Sequence, residues 1–400
     1  MFTRPSGELA VRRLRVYAIN KLSFIPGPHD FIGRYTGRVS VEQLMRRNIS
    51  LYCLSIHHDI ACFVEFKGGD NPFNCRKYPL LFVAQKEFSL HVYIMPLPLF
   101  LQFTNRLDEQ SRRVVWMFHS ARCGSTVWSQ VFNALPGWGV ISESVYMSNI
   151  IIHETGTGDV LSVTSTKQFK ALALSGLKFN LSRFPSGHSI FIKAGNHDTH
   201  LLEAVSEYLN DLTIMHCYRN ALPSAESWYY TLSKLAEISP LLYLLERAKQ
   251  DGWHESRVLK EIVHIYTQSW PESIDILQQV GPEGLFEWFL VIWCTFNCRI
   301  RAAKESGTKI ACIKYEDMQH DNEGVIKKLF NHLEIDPTLF EVATEATRSD
   351  SQSNTFLSRD KRIGNRCWVR TTESDKRSNT ILAKMGFPNL DGDFLLEDTL

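Results

Sequence analysis

The sequence predicts an α/β protein of three layers, built on a mostly parallel sheet and preceded by a small β-rich N-terminal domain. Three observations carry this. From Val114 onward, short apolar runs alternate with amphipathic stretches of helical period, the pattern of βαβ units. The residues before that point have another texture, with short β-type runs set between turn formers. Finally, the first apolar run of the second part leads through a loop of small residues directly into a helix.

Taken in order, the N-terminal domain covers residues 1–110. Its runs are Leu51–Ser55, Ile60–Phe66, Leu80–Ala84 and Phe88–Ile94, separated by turns such as Gly68-Gly69-Asp70-Asn71-Pro72. His57-His58-Asp59 is expected in a hairpin turn. The polar stretch Asp108–Arg113 marks the boundary, and residues 111–400 form the α/β domain. Its strands are expected at Val114–Phe118, Trp138–Ser142, Ser189–Ala194, Leu212–Tyr218 and Lys309–Tyr315. Such nearly all-apolar runs suit strands buried on both faces of a parallel sheet. Helices are expected at Val127–Leu135, Ala204–Leu212, Leu222–Leu235, Glu283–Glu305 and Glu323–Leu333.

Composition narrows the function classes. There are 44 Lys and Arg against 43 Asp and Glu, a net charge of +1. That balance argues against a nucleic-acid or anionic-membrane partner for the chain as a whole, and leaves room for a small local basic site. Hydrophobic residues at 44% and aromatics at 12% supply a sizeable core and rule out a disordered chain. Nine cysteines, an odd number with no CxxC pair, point to reduced thiols. The first residues lack the apolar core of a signal peptide. The best apolar runs, Trp288–Phe296 and Ile94–Leu101, are too short to span a bilayer. A cytoplasmic location without a transmembrane segment is the expectation, or the Golgi lumen if an N-terminal anchor is missing from the sequence. The oligomeric state is left open.

Ligands of open parallel sheets sit beyond the carboxyl ends of the strands, so the residues after each run carry the functional reading. After the first come His119-Ser120-Ala121-Arg122-Cys123-Gly124-Ser125-Thr126 and then a helix. That is the makeup of a P-loop-like phosphate-binding loop. Backbone N–H groups at the helix start face the anion, Ser125 and Thr126 add hydroxyl donors, and Arg122 adds a planar fork. The first Gly and the Lys of the Walker pattern are absent. After the fourth run, Arg219 leaves the strand end and Ser227 follows eight residues on, inside the next helix. That spacing lets the two converge on one anion.

These two segments resemble motifs of the PAPS-dependent sulfotransferase family, PAPS being 3′-phosphoadenosine-5′-phosphosulfate. Arg122-Cys123-Gly124-Ser125-Thr126 resembles the family's K-S-G-T-T element, which holds the 5′-phosphosulfate. Arg219-Asn220 with Ser227 resembles its R-N/D-P…S element, which holds the 3′-phosphate. Tyr315-Glu316-Asp317-Met318 looks like its Y-E-D-L segment after the last core strand. The resemblance covers roughly residues 112–340. It implies PAPS as co-substrate, no metal, and transfer of a sulfuryl group to a hydroxyl or amine on a small-molecule or glycan acceptor. Two departures stand out. Arg122 replaces the family's usual Lys, and Arg362-Ile363-Gly364 echoes only part of its C-terminal R-K-G-x-x-G-D-W loop. Arg362 and Gly364 are carried over as 3′-phosphate or adenine contacts.

Such a transfer needs positioning, charge stabilisation and a base near the acceptor proton. Glu143, after the second run, resembles the glutamate base of carbohydrate- and tyrosyl-sulfating branches. His200 and His197, after the third run, rank behind it, and Lys193 at that strand end is a candidate second cation. His197-Asp198-Thr199-His200 lacks a matching third ligand, so no metal is expected. Two other classes stay open: a P-loop kinase or nucleoside triphosphatase, and a non-catalytic nucleotide-binding relative that acts as an interaction protein.

Overall fold

The computed structural model describes residues 10–20, 27–107, 112–120, 122–144, 146, 149–150, 166–195, 198, 202–238, 279, 284–353, 355, 358 and 369–400. Along the chain lie β1 (Val11–Ile19), β2 (Phe31–Val39), β3 (Ile49–Ser55), β4 (Ile60–Phe66), α1 (Leu81–Glu87), β5 (Ser89–Pro96) and α2 (Leu97–Thr104). Then come β6 (Arg113–His119), α3 (Ser125–Ala134), β7 (Trp138–Ser142), α4 (Lys167–Leu181), β8 (Ser189–Lys193), α5 (Leu202–Tyr208) and β9 (Asp211–Tyr218). The last elements are α6 (Ala221–Ile238), α7 (Leu285–Glu305), β10 (Ile310–Lys314), α8 (Tyr315–His320), α9 (Asn322–His332), α10 (Phe340–Arg348) and α11 (Thr372–Lys384).

Two sheets organise these elements. The N-terminal one is antiparallel, with strand order β2-β1-β5-β4-β3. The other has the order β10-β9-β6-β8-β7, and both β7/β8 and β9/β10 pair in parallel. The architecture is therefore mixed α/β, with one parallel sheet and one antiparallel β-rich N-terminal sheet.

Contacts divide the chain into two compact units. One comprises Met1–Trp116 and Phe132–Leu212, the other Met117–Val131 and Thr213–Leu400. In the first unit every residue of β3 is buried. Phe63 of β4 meets Phe100 of α2 and Phe179 of α4 edge-on, at 5.8 and 5.1 Å. Phe132 stacks on Phe191 of β8 at 4.2 Å. Fully burying one such ring is worth about 1.5–3 kcal/mol, and pairing it adds about 1 kcal/mol. In the second unit Trp228 of α6 stacks on Phe289 of α7 at 5.3 Å, and Trp293 meets Phe387 and Phe394 edge-on. Both tryptophans thus pack within this unit.

Two sequence expectations are corrected. Leu80–Ala84 is not a strand, since α1 begins at Leu81 and buries Leu81, Ala84 and Gln85 at helical spacing. Gln85 anchors it by donating from Nε2 to Ser50 Oγ and Leu51 O, at 2.9 and 2.8 Å. A short apolar run reads the same for a strand or a buried helical turn. Strands β1 and β2 fall where the sequence shows no strand pattern. Their arginines replace the apolar residues that advertise a strand, and register shifts at Arg13/Leu14 and Val16/Ala18 break the alternation.

Candidate functional site

The second unit contains the loop expected to bind phosphate. β6 ends at His119, and the Ser120 N–H donates to Cys217 O at 3.0 Å, tying the loop to the end of β9. Arg122 and Gly124 take left-handed backbone angles, with φ of 53° and 76°. Ser125 then opens α3, and Ser125 and Thr126 are each 5% exposed in its first turn. Two thiols fasten the loop reciprocally. Cys123 Sγ–H donates to Cys217 O at 3.1 Å, and Cys217 Sγ–H donates to Cys123 O at 3.2 Å. Both are buried.

Gly124 is required by its neighbour as well as by φ. A Cβ there would lie 2.5 Å from two carbons of the Tyr315 ring. The guanidinium of Arg219 lies over the same ring, 4.7 Å from its centroid, in cation–π geometry. Tyr315 therefore ties the loop after β6 to the residue after β9.

The cationic side chains converge here. Arg122 Nε–H donates to Ser227 Oγ at 2.9 Å, and Arg219 Nη1–H reaches the Arg122 carbonyl at 3.4 Å. Glu316 Oε1 lies 3.9 Å from Arg219 Nε and accepts the Asn220 N–H at 3.1 Å. Among the described residues, the buried Arg219 Nε has no hydrogen-bond partner. The turn that carries Arg219 is rigidly held. Trp293 Nε1–H donates to Arg219 O at 2.8 Å, and the Asn220 amide spans Asp393 Oδ1 and the Phe394 N–H. Asp393 in turn pairs with Lys314. Nearby in chain, burial raises the Glu226 carboxyl, an effect that Arg370 and Arg219 oppose.

The first unit holds the other candidates. Glu143 follows β7 with φ of 55°, also left-handed. Its N–H donates to Lys193 O at 2.9 Å, and its Oε1 lies 2.5 Å from Lys193 Nζ. Lys193 is 2% exposed and Glu143 18%. The lysine that the sequence offered as a second cation is thus spent on the carboxylate that the sequence offered as a base. A small cavity beside them is lined by Ser144, Tyr146, Asn180, Lys193 and Asp198. Asn180 Nδ2–H donates to Ser144 Oγ at 3.2 Å, and Asp198 Oδ2 accepts the Gly195 N–H at 2.7 Å. Burial pushes the Tyr146 phenol well above its ordinary value, with Asp198 adding to the effect.

The structure brings Arg122, Cys123, Gly124, Ser125, Thr126, Arg219 and Ser227 together in one unit, and pairs Glu143 with Lys193 in the other. His197, His200, Arg362 and Gly364 lie outside the described residues. The motif pattern marks the Tyr315-Glu316 segment but says nothing of its side-chain contacts. Their places over Gly124 and Arg219 depend on contacts between residues far apart in sequence, for which no local signal exists. Among the described residues, no group of three His, Cys, Asp or Glu is arranged to hold a metal ion. No helix among them is long and apolar enough to cross a membrane. Neither a protein-family model, nor a characterised protein, nor a solved structure matches this chain.

Proposed function

We propose that this chain is a sulfotransferase. It moves a sulfuryl group from PAPS to a hydroxyl or amine of a small-molecule or glycan acceptor, by in-line displacement and without a metal. The finer fold belongs to the same reading: three layers, with a P-loop-like loop between β6 and α3. The support is the convergence of Arg122, Ser227 and Arg219, which the motif resemblance assigns to the two ends of one donor. The residues present fit a compact anion. Among the described residues Arg219 Nε lacks a hydrogen-bond partner, Gly124 keeps the loop free of a Cβ, and two hydroxyls stand in the first turn of α3.

PAPS, when bound, supplies the activated sulfuryl group and a phosphate leaving group. Arg122 and the Cys123–Thr126 backbone hold the 5′-phosphosulfate, and Arg219 and Ser227 hold the 3′-phosphate. Arg362 and Gly364 add contacts to that phosphate or the adenine. Arg122 stabilises the departing phosphate oxygen by charge and by its fork, since a guanidinium does not give up its proton. Glu143 takes the acceptor proton as the new bond to sulfur forms and the bond from sulfur to phosphate oxygen breaks. Lys193 orients that carboxylate, and His200 is the second candidate for the base.

Calorimetry with 3′-phosphoadenosine-5′-phosphate, the product nucleotide, tests donor binding. Metal-free binding that is lost in Arg219→Ala is the expected result. Tight binding of Mg·ATP with none of the product nucleotide overturns the reading in favour of a P-loop kinase or triphosphatase. Sulfuryl transfer from labelled PAPS to an acceptor library, abolished in Glu143→Ala, is expected of the enzyme. Nucleotide binding without any transfer marks a non-catalytic relative instead.

A further inference from the structure

The β1–β2 ribbon has a charge distribution unlike the rest of the chain. Residues 10–47 contain seven arginines, one lysine and two carboxylates, in a protein of net charge +1. One of those carboxylates, Asp30, is buried and hydrogen-bonded to Tyr52 Oη at 2.5 Å. Arg12, Arg15, Arg34 and Arg38 are exposed. Arg12 lies directly opposite Arg38 in the ladder, and Arg15 directly opposite Arg34. Like charges in facing positions destabilise a strand pair. Among the described residues none of the four forms an ion pair with a carboxylate. Exposed rings accompany them, Tyr17 at 65% and Tyr35 at 56%.

Edge protection does not account for this pattern. Charged side chains on an outer strand discourage pairing with other chains, and β2 is the outer strand. β1 is an inner strand, bonded to β2 on one side and β5 on the other, yet it carries Arg12, Arg13 and Arg15. Two repulsive pairs without a counter-charge among the described residues call for an external one.

We infer that the β1–β2 ribbon binds single-stranded nucleic acid, with the arginines on phosphates and Tyr17 and Tyr35 stacked on bases. The geometry selects this polyanion over others. Arg12–Arg15 pair in unbroken register with Ile94–His91 of β5, so alternation places Arg13 and Arg15 on one face and Arg12 on the other. Each face thus carries one of the arginine pairs, about 10 Å apart along the strand. A flat bilayer or a stiff duplex meets one face only, whereas a flexible single strand wraps the ribbon's outer edge. Arginine forks suit phosphate, and exposed aromatic rings suit unstacked bases rather than an anionic polysaccharide, which has no π face. The chain-wide balance of charge hides this local excess. The inference is independent of the PAPS reading, because the ribbon shares no residue with the proposed donor site.

Fluorescence anisotropy of the full chain with a labelled oligouridylate of about a dozen nucleotides tests it. Replacing Arg12, Arg15, Arg34 and Arg38 by Ser is expected to weaken binding at least about tenfold and to flatten its salt dependence. The thermal midpoint should stay equal or rise, since the repulsive pairs are gone. Tyr17→Leu with Tyr35→Leu is expected to weaken oligouridylate severalfold, leave the salt slope intact and leave heparin binding unchanged. If the quadruple variant fails to fold, Arg15→Ser and Arg34→Ser, made singly, give the same readout. Unchanged oligouridylate affinity in the arginine variants overturns the inference. So does heparin, or a vesicle of anionic lipid, bound more tightly than oligouridylate and insensitive to the tyrosines.

Discussion

Arg122 Nε–H donates to Ser227 Oγ across 2.9 Å, joining side chains 105 positions apart. Because the Ser227 oxygen accepts this bond, its own O–H remains able to donate outward. Ser227→Ala removes both functions. Hydrogen bonds to charged groups contribute about 1.5–3 kcal/mol, so affinity for the product nucleotide should fall about tenfold to a hundredfold by calorimetry. The melting temperature should hardly move, because Ser227 is only half-buried.

Gly124→Ala should destabilise the fold. The new Cβ meets the Tyr315 ring at 2.5 Å, and the backbone stays at φ of 76°. Left-handed strain in a non-glycine residue costs about 1 kcal/mol or more, before the clash is counted. A drop of several degrees in thermal midpoint is expected. Adding Tyr315→Ala should restore part of it, since the clash is relieved and the backbone strain is not.

Lys193 and Glu143 should be coupled. Lys193→Met leaves the Glu143 carboxylate without its ammonium in a site where the lysine is 2% exposed. Breaking a buried pair costs about 3–5 kcal/mol, and the partial exposure of Glu143 brings this toward the lower end or below. Lys193→Met combined with Glu143→Gln should cost less than Lys193→Met alone. Urea denaturation of the two singles and the double variant measures the difference.

His216 should make the protein acid-sensitive. Burial depresses its imidazole from 6.5 to about 4 in the folded chain. The unfolded chain therefore binds the proton first as pH falls. Stability is full above about pH 6.5 and is lost progressively toward pH 4, by at most about 3 kcal/mol. His216→Gln should flatten urea midpoints between those pH values. A slope unchanged by the substitution would assign the acid sensitivity to other groups.

The parallel-sheet strands were readable from sequence because burial on both faces forces uninterrupted apolar runs, as at Val114–Phe118 and Trp138–Ser142. The ribbon was not, because Arg12, Arg13, Arg15, Arg34 and Arg38 stand where a strand ordinarily displays apolar residues. The site was readable in part. Arg122, Arg219 and Ser227 each follow a strand end at a characteristic spacing, and that much is local. The ring of Tyr315 under Arg219 and over Gly124 is a long-range contact, invisible to any window. The pairing of Lys193 with Glu143 likewise depends on β7 and β8 ending side by side.

Among the described non-glycine residues, only Asp59, Glu334 and Asp398 share the left-handed backbone of Arg122 and Glu143. At 122 and 143 the backbone conformation would be met at less cost by asparagine, which tolerates that region. Backbone strain alone would therefore favour asparagine at both positions, against the Ser227 bond that Arg122 makes and the Lys193 pair that Glu143 makes. Under the proposed function, anion binding would hold the arginine and proton transfer would hold the glutamate. The two positions thus set backbone strain against side-chain partners, and libraries randomised there should separate along that axis.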